Sequence, residues 1–216
     1  MKLLLVIIFS ILTIVTYSQQ EVKIIMKNGA TKKAILLGEK NDVYSFKDIE
    51  KGNKFKIPRN NIQALVEGCK YEKNQVDDMT GDKVKSSTWK TLYNLFTKLS
   101  VQTSQVNDYK YLNIKIIDGS IFTIPAEATI IFKDKSGQTY QLKTINEMGE
   151  VAEGYIIAGQ TAYTATISMT LDEATIKGLA ENNLSKVRIY YRDGYKDYEI
   201  KPGKVGQLMA VMSCLQ

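Results

Sequence analysis

The sequence predicts a mainly β fold of the α+β kind: a small N-terminal barrel, then an antiparallel β-sheet or sandwich with two helices near the C-terminus. Three observations predict it. Short apolar-alternating runs recur along the chain, separated by the turn pairs Asn28-Gly29, Asp118-Gly119 and Ser136-Gly137. Well-marked helical signatures occur only after residue 169. The apolar fraction of 44% is that of a folded globular chain, so these runs have enough partners to form a core.

Residues 1–18 precede this fold. Lys2 is a cationic start, Leu3 to Val15 an apolar core, and Thr16 to Ser18 a small polar neck, the layout of a secretory signal peptide. The apolar stretch is shorter than the roughly 20 residues a membrane-spanning helix needs. No cysteine follows it to carry a lipid, and no later apolar run is long enough to span. The expectation is a soluble, exported protein, periplasmic or extracellular, with no membrane span after cleavage. The formal charge is +6. Export removes nucleic acid as a partner, and the lysines are dispersed among acids, so the charge reads as a soluble surface.

Residues 19–66 read as the barrel. Residues 22–26 form a first strand, and Asn28-Gly29 signals a two-residue hairpin turn, since both positions tolerate positive φ. A second strand (31–38), a turn (39–42) and a third strand (43–46) follow. After the polar turn DIEKGN (48–53), Phe55 and Ile57 alternate with lysines in a fourth strand, ended by Pro58 because proline offers no N–H to a ladder. RNNI (59–62) is one helical turn before a last strand at 62–66.

Residues 67–216 read as one α+β segment. Residues 69–78 and 83–91 flank a turn at Met79 to Asp82 and form a hairpin. Leu92, Leu95 and Phe96 fit a short helix or a bent strand, and VQTSQVND (101–108) reads as a loop. Strands follow at 109–117, 120–124, 128–133, 138–144 and 161–169. Thr170-Leu171-Asp172-Glu173 is a capping box, with Thr170 as N-cap of a helix that runs to Asn182-Asn183. The last helix starts near Pro202 and carries Val205, Leu208, Met209, Met212 and Leu215 at helical spacing.

The only cysteines are Cys69 and Cys214. In an oxidising compartment two such thiols form a disulfide, here closing nearly the whole second segment. The competing reading is two buried free thiols packed as small hydrophobes. A bond requires Cα atoms within about 7 Å.

On VKIIMKNG (22–29) and KIPRNNIQAL (56–65), the first segment resembles the SH3-like or Sm-like barrels at the front of some exported bacterial proteins. Where those barrels often carry glycine early in the second strand, this chain has Ala34. The second segment resembles uncharacterised secreted bacterial proteins, on CKYEKNQVDDMTG (69–81), TLDEATIKGLAENN (170–183), KVRIYYRDGYKDYEI (186–200) and a terminal helix ending in Cys214. The resemblance implies a domain and a compartment and carries no mechanism.

The chain has no histidine, which removes the commonest general base and zinc ligand. The GxSxG and Walker patterns are absent. Serine–lysine catalysis is possible in principle, but SSTWK (86–90) is not expected to carry it. No catalytic, cofactor or metal residues are expected. Asp77, Asp78 and Asp82 read as turn formers, because their spacing is not that of a calcium loop. Glu127, Glu147, Glu150 and Glu153 are acids by type only, with no pairing legible for glycoside hydrolysis.

Interleaved cations and tyrosines in KVRIYYRDGYKDYEIK (186–201) offer a ligand surface of Arg188, Tyr190, Arg192 and Tyr195. A hairpin with Asp193-Gly194 at its tip competes with that reading. It pairs Arg192 with Tyr195, Tyr190 with Asp197 and Arg188 with Glu199. The functional expectation is a non-enzymatic binding protein of the cell envelope, its partner an unidentified envelope protein or glycan. A hydrolase of an extracellular polymer is the alternative, and assembly through edge strands a third role.

Overall fold

The computed structural model describes residues 20–146, 149–157 and 160–216, without the side chains of Ile157 and Pro202. The expected signal peptide, residues 1–18, lies outside the described residues. Mainly β architecture with two C-terminal helices is what the chain adopts.

The first sheet holds β1 (Gln20–Met26), β2 (Thr31–Lys40), β3 (Val43–Asp48), β4 (Lys54–Pro58) and β5 (Ile62–Glu67), with a 3-10 turn at Arg59–Asn61 before β5. The order is β4-β3-β2-β1-β5. Side chains of all five strands join one cluster around Val22, Ile24, Ala34 and Phe46. Among the described residues no ladder joins β4 to β5, so closure into a barrel is not seen.

The turn with positive φ at both central residues sits at Asn41 (52°) and Asp42 (58°), between paired Lys40 and Val43. At Asn28-Gly29 only Gly29 is left-handed, at 85°. The Asn28 side chain there accepts from the Ala30 N–H at 3.1 Å, a local bond that asparagine supplies without positive φ. The bend in β2 comes from a register shift between Leu36 and Gly38, while Ala34 stays buried and paired. Asp48 closes the next turn. Lys32 Nζ reaches its carboxylate at 2.6 Å, and the Glu50 and Lys51 N–H groups donate to it at 2.9 Å. The Lys32 bond and those donors lower the Asp48 pKa to about 2.

The second segment begins with β6 (Tyr71–Val76), β7 (Lys83–Ser87), β8 (Lys90–Asn94), β9 (Lys98–Val106) and β10 (Tyr109–Asp118). Next come β11 (Thr123–Ile124), β12 (Thr129–Asp134), β13 (Thr139–Lys143), β14 (Glu150–Val151), β15 (Glu153–Ile157) and β16 (Gln160–Thr170). Helix α1 (Glu173–Glu181), β17 (Leu184–Tyr191), β18 (Gly194–Glu199) and α2 (Val205–Met212) complete the chain. One sheet runs β15-β16-β10-β9-β7-β6 with β8 also on β9, and a second runs β13-β12-β17-β18. Leu99, Val101, Ile114, Ile116 and Ile167 of the first share a core with Ile130, Phe132, Val187 and Ile189 of the second.

Three expectations are corrected here. VQTSQV is the body of strand β9, because its buried polar groups find partners: Gln102 Nε2 donates to the Ser87 carbonyl at 2.8 Å, and Thr103 Oγ1 to the Val211 carbonyl at 2.7 Å. The N-cap of α1 is Asp172, whose carboxylate accepts from the Thr175 N–H at 2.6 Å. Glu173 instead pairs with Lys110 at 2.6 Å. Asp118-Gly119 does not close a hairpin, since β11 pairs with β14.

Helix α2 is buried nearly all round, through Val205, Leu208, Met209, Ala210, Val211 and Met212. Its core takes in Ile25, Ala64 and Val66 from the first sheet as well as both sheets of the second segment. Cys69 and Cys214 are bonded, with Cα atoms 4.9 Å apart, which fixes the chain after β5 to the end of this helix. Their sequence separation is 145 residues, a loop to which the chain-entropy model assigns about 5 kcal/mol. Among the described residues no helix is long and apolar enough to cross a membrane.

A Cβ at Gly206 would stand 2.7 Å from the Leu65 carbonyl oxygen, so the close approach of α2 to β5 requires glycine. Gly206→Ala is expected to lower unfolding stability in urea by about 1–3 kcal/mol. Gly203→Ala, where a Cβ meets open space, is the matched control and is expected to change little.

Candidate functional site

Asp118, the last residue of β10, joins the β8–β9 turn, the loop after β10 and strand β18. Thr97 Oγ1 of the β8–β9 turn donates to its carboxylate at 2.5 Å, the Ser120 N–H at 3.0 Å and Lys196 Nζ of β18 at 3.3 Å. The Arg192 N–H donates to the Thr123 carbonyl at 2.9 Å, which fixes the tip of the β17–β18 hairpin to the start of β11. Beneath them the Tyr191 and Tyr198 hydroxyls share a hydrogen bond of 2.6 Å, and the Tyr93 ring meets Tyr198 edge-on at 5.2 Å.

Burial alone raises the Asp118 carboxyl, but the Thr97 and Ser120 hydrogen bonds and the Lys196 charge outweigh it and hold the pKa below the usual aspartate value. The Tyr191 phenol is pushed up, first by burial and then by Tyr198, so the tyrosine pair stays neutral. Four large apolar or aromatic side chains at these turns and on β18 are exposed. Phe96 is 99% exposed, Ile121 66%, Leu95 58% and Tyr195 56%. A wholly exposed phenylalanine on a pinned turn is informative in a way that a scattered surface leucine is not.

The sequence-predicted ligand residues divide. Arg188, Tyr190 and Tyr195 share the outer face of β17–β18, and Arg192 sits at its tip. The hairpin register differs from the expected one by two residues. Tyr191 pairs with Gly194, so Arg192-Asp193 form the turn, Arg188 faces Asp197, and Tyr190 faces Tyr195. A shift of two keeps every side chain on its expected face while changing its partner. Arg188 holds Asp197 through two bonds of 2.6 and 2.9 Å, and its guanidinium lies 4.0 Å over the Tyr195 ring. The Tyr190 and Tyr195 rings are 5.7 Å apart.

The remaining candidates are engaged locally. Asp77 accepts from the Met79 and Thr80 N–H groups, and Asp82 from Thr80 Oγ1 and Asn107 Nδ2, the pattern of a capped turn. Among the described residues no three metal-ligating side chains cluster. Ser87 is buried and receives the Thr103 N–H, while Lys90 pairs with Glu67 at 2.6 Å. Glu150 accepts from Asn146, Glu127 lies 3.9 Å from Lys143, and Glu147 is outside the described residues. The carboxylates with shifted pKa values, Asp48, Glu67, Asp77, Asp118, Asp172 and Asp197, all shift downward.

Leu95, Phe96, Thr97 and Asp118 were not distinguished by the sequence. An apolar pair between polar residues reads as core, and nothing local says that the turn holding it points outward. Comparison of the chain with protein-family models, with curated proteins and with solved structures finds no match.

Because the folded Asp118 pKa is lowered, its contribution is present above the usual carboxylate range and is lost as pH falls through the folded value. Asp118→Asn is therefore expected to speed amide exchange at residues 95–97 and 120 at neutral pH. Wild type is expected to approach the variant's exchange only under acid, after correction for the intrinsic pH dependence.

Proposed function

We propose that the protein is an exported, non-enzymatic binding protein of the cell envelope, and that a partner protein docks on the loop end around Asp118. The observation that carries this reading is Phe96, 99% exposed on a turn held by the Thr97–Asp118 bond. Burying a phenylalanine or leucine side chain contributes about 1.5–3 kcal/mol. A turn already ordered before binding loses little conformational entropy, so more of that gain reaches the affinity. Aromatic anchors at the centre of a patch are the common energetic focus of protein interfaces.

Export is supported by the layout of residues 1–18 and by the Cys69–Cys214 bond, which suits an oxidising compartment. A hydrolase of extracellular polymers would call for a general acid with a raised pKa. The downward shifts of the perturbed carboxylates lend that alternative no support.

The test is quantitative capture from the native envelope with wild type and with a Leu95→Ser, Phe96→Ser variant. A protein enriched by wild type and lost by the variant is expected, with both chains melting at about the same temperature because the two side chains are exposed. Equal capture by both, or none by wild type, contradicts the reading.

A further inference from the structure

The outer face of the β13-β12-β17-β18 sheet carries a hollow of about 240 Å³, lined by Ile131, Lys133, Thr139, Lys186 and Arg188. Strand alternation builds it. Ile130, Phe132, Val187 and Ile189 point into the core, which leaves Ile131, Lys133, Lys186 and Arg188 on the outside. The ladder then sets Lys133 directly opposite Lys186, and Ile131 opposite Arg188. On its other side Lys133 faces Thr139.

Like charges directly opposed across a sheet are unfavourable without a counter-charge. The acids of this face balance only one side. Lys186 reaches Glu199 at 2.8 Å and Asp197 at 3.4 Å, and Arg188 takes Asp197 at 2.6 Å. The hollow is therefore mainly apolar, formed by Ile131 and the side chains of Lys133, Lys186, Arg188 and Thr139, and of these cations Lys133 alone is without an ion pair among the described residues. It lacks a carboxylate in its lining.

We propose that this hollow is an anion subsite for an acidic polysaccharide, with one carboxylate or sulfate group of the polymer seated between Lys133 and Lys186 and hydrogen-bonded by Thr139. Three features favour a polymer. The hollow is open on the face of a sheet, so it seats a group that projects from a chain lying across it. The Tyr190 and Tyr195 rings continue the same face and give sugar rings an apolar surface to lie on. Arg188 is held in place by Asp197 and by the Tyr195 ring, so the cationic wall is ordered before the ligand arrives. The inference goes beyond the loop-end reading and does not depend on Phe96.

The experiment is calorimetric titration of the full chain, at low and at physiological salt, with heparin, polygalacturonate, neutral dextran, inorganic sulfate and single-stranded DNA. Binding of heparin or polygalacturonate is expected, weakened by salt, and weakened about tenfold by Lys133→Gln through loss of one charged hydrogen-bond donor. Lys51→Gln, on a distant exposed turn, and Phe96→Ser are expected to bind like wild type. Wild-type affinity in Lys133→Gln, or an equal loss in Phe96→Ser, overturns the site. Binding of dextran as tight as of the acidic polymers, of inorganic sulfate only, or of DNA more tightly than either polymer overturns the ligand class.

Discussion

The structure depends on how closely the C-terminal helix can approach β5. Gly206 lets α2 lie against the Leu65 carbonyl, and from that position the helix buries side chains against both segments. Residues 20–67 alone hold a small cluster of four fully buried apolar side chains. A unit of that size buries too little to be secure by itself. The helix supplies the missing contacts, and the Cys69–Cys214 bond fastens its far end to the chain where β5 finishes. Thr103 adds a buried hydrogen bond from β9 to the helix backbone at Val211.

With the interior clamped, the two surfaces proposed for recognition would act by different physics. The loop end presents apolar side chains on turns ordered by Asp118. The outer face of the second sheet presents cations whose acids lie on one side only. The first would gain its energy from removing apolar area from water and would vary little with salt. The second would depend on charge and weaken as salt rises.

Much of the fold was legible because strand alternation and turn residues are local. The strands from Gln20 to Glu67, the Pro58 stop and the helix beginning near Pro202 follow from nearest neighbours in sequence. The errors came where a distant partner decides. VQTSQV reads as a loop until Ser87 and Val211 satisfy its polar groups. Thr170 fits an N-cap by spacing, but β16 holds it in the ladder opposite Tyr111, so the cap passes to Asp172. Arg188 and Tyr195 were legible as members of one face because a two-residue slip preserves faces. Their partners were not legible, since the turn sets the register. Lys133 could join Lys186 only after β12 was paired with β17, across more than fifty residues of sequence.

Joined through α2, the two segments are expected to unfold as one cooperative unit. The direct measurement is a urea titration followed by two probes at once: the fluorescence of Trp89, which lies under Lys115 in the second segment, and the NMR amide signal of Ala34 in the first sheet. One shared midpoint is expected. Loss of the Ala34 signal at a lower urea concentration, with Trp89 still native, would contradict it.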